Sequence, residues 1–97
     1  MNRVPISIHV VSDSLGETGE MVARAAAGQF ESDAFRIERL LKIRTPEQLR
    51  AEVKAHCGEY CLFFYTLVDQ ALCDEMKQLC TEGANGVDLL SPAVRLL

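Results

Sequence analysis

Two polar segments carry the side chains best suited to chemistry. Ser12-Asp13-Ser14-Leu15-Gly16-Glu17-Thr18 gathers hydroxyls, carboxylates and a glycine ahead of a helical pattern, and Thr66-Leu67-Val68-Asp69 does so on a smaller scale. Hydroxyls, together with the free backbone N–H groups of a helix start, suit a phosphorylated ligand or partner. Asp13 and Glu17 bring negative charge to the same place, so a bare phosphate would need a metal ion or an arginine from elsewhere to reverse the sign. Ser, Asp and Gly also cap helices and shape turns with no ligand involved. That second reading stands beside the first for Ser14 and Asp69, and less so for Asp13, which is not required as a cap. Ser12, Asp13, Ser14, Gly16, Glu17, Thr18, Thr66 and Asp69 therefore form the candidate rim for a partner or a phosphate.

No catalytic residue emerges. Ser12 and Ser14 have no neighbouring His to activate them. Gly16-Glu17-Thr18-Gly19 lacks the third glycine and the spacing of a dinucleotide fingerprint, and no G-x-x-x-x-G-K-[ST] occurs. The chain is thus expected to hold no cofactor of its own. Its four cysteines, Cys57, Cys61, Cys73 and Cys80, show neither C-x-x-C spacing nor a His at metal-ligand spacing. They read as buried free thiols, and no metal site is legible. His9, inside a strand, reads as a hydrogen-bonded structural histidine; His56, near a helix C-terminus, reads as a solvated one.

The elements that must position the rim follow from hydrophobic periodicity. Ile6, Ile8, Val10 and Val11 form a β-branched run, a buried strand. From Glu17 to about Gln29 the pattern turns helical, with Met21, Val22, Ala25 and Ala26 on one stripe, and Ser14 with Glu17 has capping-box spacing. Phe35 and Ile37 alternate with Arg36 and Glu38, as on a half-solvated edge strand. Thr45-Pro46-Glu47-Gln48 starts a second helix whose core face is Leu49, Val53 and Cys57. Tyr60 to Tyr65 is apolar and aromatic throughout, a central strand covered on both faces. Asp69 caps a third helix carrying Leu72, Cys73, Met76, Leu79 and Cys80, which Gly83 ends in the left-handed conformation. Gly86 to Leu90 is a fourth short strand, closed by Ser91-Pro92.

This β-α-β-α-β-α-β order predicts a three-layer α/β fold: a mostly parallel four-stranded sheet in order 2-1-3-4, with helices on both faces. Ligands bind outside the carboxyl ends of such strands where the order reverses, here between strands 1 and 3, which is where the two polar segments meet. The 97 residues suit one α/β domain over 1–97, with 48% hydrophobic and 25% charged residues. A net charge of −4 with scattered Lys and Arg argues against nucleic acid or an anionic membrane as partner. No signal-peptide core and no spanning run occur, so the expected location is cytoplasmic. The apolar ending Ala93-Val94-Arg95-Leu96-Leu97 suggests a cut through a longer chain.

Four segments together carry a resemblance: Val11-Ser12-Asp13-Ser14-Leu15-Gly16-Glu17-Thr18-Gly19-Glu20, Ala25-Ala26-Ala27-Gly28-Gln29-Phe30, Arg44-Thr45-Pro46-Glu47 and Tyr65-Thr66-Leu67-Val68-Asp69. In this order they resemble the N-terminal part of the pyruvate, phosphate dikinase and phosphoenolpyruvate synthase regulatory proteins, over essentially the whole chain. The resemblance implies a bifunctional serine/threonine kinase and pyrophosphorylase. It uses ADP to phosphorylate a threonine of the target enzyme, and phosphate to remove that group with release of pyrophosphate. The family's P-loop lies in a C-terminal domain this chain does not contain. ADP and phosphate are thus expected cofactors of the full-length protein only. The implied partners are the dikinase or synthase and the chain's own P-loop domain, with a second copy as a further option. Leu15 stands where the pattern usually has threonine, Gly19 where it has alanine, and Gln70 where a proline often follows the aspartate. Two other functions fit the residues alone. One is a receiver-like phosphotransfer module, for which Asp13 and Asp69 are partial matches; the other is a pure interaction domain.

Overall fold

The computed structural model describes residues 5–30, 32–58 and 60–97. Along them run β1 (Ile6–Ser12), α1 (Glu17–Ala27), a short 3-10 turn (Ser32–Ala34), β2 (Phe35–Leu40), α2 (Pro46–His56), β3 (Cys61–Thr66), α3 (Gln70–Thr81), β4 (Gly86–Asp88) and α4 (Ser91–Leu96). The four strands form one sheet in the order β2-β1-β3-β4, parallel at every pairing. Each strand is followed by a helix that must return to the starting edge, and this return forces the parallel arrangement. The expected fold class and strand order are both observed.

Alternation along β1 sorts the core into two layers. Val11 faces α2 and α3, packing with Leu49, Val53, Phe63, Tyr65, Leu72, Met76 and Leu79 in the larger cluster. Ile8 and Val10 face α1, where Ala23 and Ala27 let the helix come close. The expected stripe is corrected, since Met21, Val22 and Ala25 turn outward and Ala26 is only half-buried, while Gly19, Ala23 and Ala27 meet the sheet. Gly19 extends this small-residue stripe: a Cβ there would lie 2.7 Å from Val10 Cγ1. On the first face, Arg50 ties α2 to α3, donating to Glu75 at 2.6 Å and to both Glu82 oxygens at 2.7 and 2.9 Å. No helix among the described residues is long and apolar enough to cross a membrane.

Several expectations are corrected. In β3, Phe63 and Tyr65 are buried but Leu62 and Phe64 only half so, because among the described residues α1 alone covers their face. Helix α2 ends at His56, so Cys57 leaves it in extended backbone and is exposed. The four-residue recurrence continues past the point where the helix stops. Of the four thiols only Cys73 is fully buried. Strand β4 ends at Asp88, whose Oδ1 accepts from the N–H groups of Leu90 and Ser91, each at 2.9 Å. This turn makes Ser91-Pro92 the opening of α4 rather than a strand closure. Thr45 Oγ1 accepts from Gln48 N at 3.1 Å as expected, but Gln48 Oε1 accepts from Arg44 N at 2.8 Å, one residue before the cap.

Candidate functional site

Ser12 and Thr66 sit side by side at the carboxyl ends of β1 and β3, paired in register. Both are buried polar residues. Asp13, one residue on, crosses the gap between the loops: its Oδ2 accepts from the backbone N–H groups of Val68 and Asp69, each at 2.9 Å. A single carboxylate thereby closes the two polar segments into one wall. The β1 loop is held from its other side by the β2–α2 connection, where Lys42 N donates to Ser14 O and Ile43 N to Ser12 O, both at 3.1 Å. Arg44 Nη1 donates to Asp13 O at 3.5 Å, setting a cation beside the loop.

These bonds explain why the capping box fails. Ser14 spends its N–H on Ser12 Oγ at 3.0 Å and its carbonyl on Lys42, so it is drawn away from the helix. The N-cap of α1 is instead Gly16, at φ 71°, with no side-chain cap bond. A left-handed φ favours glycine, and a Cβ there would also collide with Leu41 Cδ2. The opening N–H groups of α1, those of Glu17, Thr18 and Gly19, are left without a capping side chain.

The result is a notch of about 300 Å³. Seven of the eight candidate residues line it, together with Leu15, Val68 and Leu90; Asp69 does not. Asp69 Oδ1 accepts from Leu72 N at 3.1 Å, so that carboxylate serves as the cap of α3. An adjoining cleft of about 280 Å³ shares Val68 and Leu90 and carries Lys77 and Arg95. Arg44, beside the rim, and Lys77 and Arg95, in the adjoining cleft, are cations that sequence reasoning missed. Arg44 had a signal in standing beside the Thr45-Pro46 helix start, while the other two reach the cleft only through α3 and α4. Beneath it, Cys73 Sγ donates to Leu67 O at 3.0 Å. Burial, then the Asp88 and Asp13 carboxylates, push its thiol up, which keeps it protonated and un-nucleophilic. The notch offers hydrogen-bond donors and hydroxyls, and among the described residues no nucleophile–base pair lines it.

The histidines depart from expectation. His9 is buried, yet its Nδ1 has no hydrogen-bond partner among the described residues. Desolvation and then the neighbouring His56 hold its imidazole below the usual range, with Glu38 opposing. His56 is not simply solvated; its ring lies 4.8 Å from that of His9.

Fold and notch together define a parallel α/β module whose polar site sits where the strand order reverses. The model of the kinase/pyrophosphorylase family matches residues 8–97, and the chain belongs to that family. It is 40% identical over 91 residues to a protein of Trichlorobacter lovleyi, covering 93% of this chain and 34% of the relative. It is 39% identical over 84 residues to one of Pelobacter propionicus, covering 86% and 30%. A Syntrophomonas wolfei protein is 37% identical over 94 residues, covering 96% and 34%. All three bear the name pyruvate, phosphate dikinase regulatory protein, the third with the numeral 2. The chain spans about a third of the length of these curated relatives.

Proposed function

We propose that these 97 residues are the front α/β part of a bifunctional regulator of pyruvate, phosphate dikinase or phosphoenolpyruvate synthase. In this reading the nucleotide chemistry belongs to a P-loop domain outside the chain. The β-phosphoryl group of ADP passes to a threonine oxygen of the target, leaving AMP. In the opposite sense inorganic phosphate attacks the phosphothreonine, freeing the hydroxyl and forming pyrophosphate. The notch holds the target's surface or its phosphorylated group against that domain.

The observation that carries this reading is Asp13 joining the β1 and β3 loops while the opening N–H groups of α1 stay uncapped. Such donors suit an oxyanion, and the Ser12 and Thr66 hydroxyls beside them suit a polar partner. A receiver-like role fits less well, since Asp69 is engaged as the α3 cap and Asp13 as the loop bridge. The test presents the chain with the dikinase and ADP and follows both binding and threonine phosphorylation. Binding without phosphate transfer is expected, weakened at least about tenfold by a Thr66→Ala and Asp13→Asn pair. Phosphothreonine formed by this chain alone, or binding indifferent to both changes, refutes the division of labour.

A further inference from the structure

The α2 face of the sheet carries a second constellation, separate from the notch. His9 on β1 and Glu38 on β2 are register partners, so their side chains rise on the same face. His56, the last residue of α2, closes over them. The three residues offer ligand atoms that all lie within 4.8 Å of one another. His9 Nδ1 and Glu38 Oε2 are already 3.5 Å apart, close to the separation of about 3.3 Å that two ligands have around a tetrahedral ion with bonds of about 2.0 Å. The chain has two histidines in all, and both are here.

Three features single this cluster out. His9 is 2% exposed, and its Nδ1 lies within the cluster, 3.5 Å from Glu38 Oε2, with no hydrogen bond to satisfy it. A buried polar atom left unpaired is costly, and its persistence asks for a partner. The His9 ring stacks on Phe63 with centroids 5.3 Å apart, which restricts the plane of the imidazole. Glu38 and His56 are each only partly exposed, at 41% and 36%, which leaves them free to adjust and leaves one side open for entry.

We propose that His9, Glu38 and His56 form a binding site for a zinc-class divalent transition-metal ion. Two imidazoles and a carboxylate are a borderline-soft donor set that suits Zn²⁺ and Co²⁺ and not Mg²⁺ or Ca²⁺, which prefer oxygen ligands. Three protein ligands leave a fourth position to water. The ion would add a side-chain link between β1 and β2, already paired as neighbouring strands, and tie both to the end of α2.

The test uses the chain stripped with chelator and titrated with Co²⁺, followed by visible absorption, and with Zn²⁺, followed by calorimetry. One equivalent per chain is expected, with ligand-field bands that Zn²⁺ abolishes and a thermal midpoint that rises on Zn²⁺ addition. His9 stays in place because its removal endangers the core. Instead His56→Ala and Glu38→Gln should each lower affinity at least about tenfold and remove the thermal shift. Cys57→Ser, next in sequence to His56, should change neither. Imidazole nitrogen resonances of both histidines should move on Zn²⁺ saturation. Absence of stoichiometric binding, binding unaffected by the His56 and Glu38 changes, loss of binding in Cys57→Ser, or a response from His56 alone would each overturn the site.

Discussion

At the scale of single residues, Asp13 has the largest reach for its size. One carboxylate oxygen takes two backbone donors from a loop more than fifty positions away. Hydrogen bonds to a charged acceptor contribute about 1.5–3 kcal/mol when well shielded, and these are solvent-exposed. Asp13→Ala is therefore expected to lower unfolding free energy by about 1.5 kcal/mol, read from urea titration, with Asp13→Asn intermediate. A second comparison separates the two serine- and threonine-headed helix starts. Thr45→Ala removes a cap bond and should cost about 1 kcal/mol, whereas Ser14→Ala should change stability by less than about 0.5 kcal/mol. The sequence presents both as capping residues. The bond of Ser14 N–H to Ser12 Oγ and the long-range pairing of Ser14 with Lys42 distinguish them, and no local pattern encodes the Lys42 pairing. The candidate rim was legible because hydroxyls and acids clustered after two strands. The cluster of His9 with His56 was not, because it depends on where α2 stops above the sheet.

At the scale of elements, α1 and the α2–α3 pair make opposite demands. Helix propensity alone predicts that Gly19→Ala stabilises α1 by up to about 1 kcal/mol. The 2.7 Å approach to Val10 Cγ1 predicts the reverse, since a β-branched side chain on a packed strand has little room to yield. A net loss of about 1–3 kcal/mol is expected, and the same substitution should cost less in a Val10→Ala background. Between α2 and α3, Glu82 accepts from Arg50, Lys54 and Gln78. The Arg50 hydrogen bond, then those of Lys54 and Gln78, hold its carboxyl at about 2, below an ordinary value of 4.5. A depressed folded-state value contributes stability above the unfolded one and forfeits it as pH falls. The contribution of Glu82 should accordingly fade between about pH 4.5 and 2. Acid titration of Glu82→Gln should show a shallower loss over that window, and added salt should narrow the difference from wild type.

At the scale of the whole molecule, the sheet is covered unequally. Phe63 lies under α2 and α3 with no exposure, while its neighbour Phe64 faces the side that α1 only partly covers. Phe63→Ala should cost about 3–5 kcal/mol, with Phe64→Ala well below that, as guanidinium unfolding would show. This imbalance escaped the sequence, where Tyr60 to Tyr65 reads as uniformly apolar. Composition fixes how much a strand can bury, whereas the number of helices on each side sets how much it does. The strand order, by contrast, followed from connection lengths and handedness, which operate on any chain of this pattern. That order also dictates when the fold can be completed. β1 emerges first in synthesis yet stands in the interior of the sheet, where Ser7 must wait for Cys61 and Ser12 for Thr66 before its second side is covered. A fragment released before β3 is made would carry a bare edge on its most apolar strand. Residues 1–58 alone should therefore give a circular dichroism spectrum without the native helical content and should self-associate, and the native signal should appear only in fragments that reach α3.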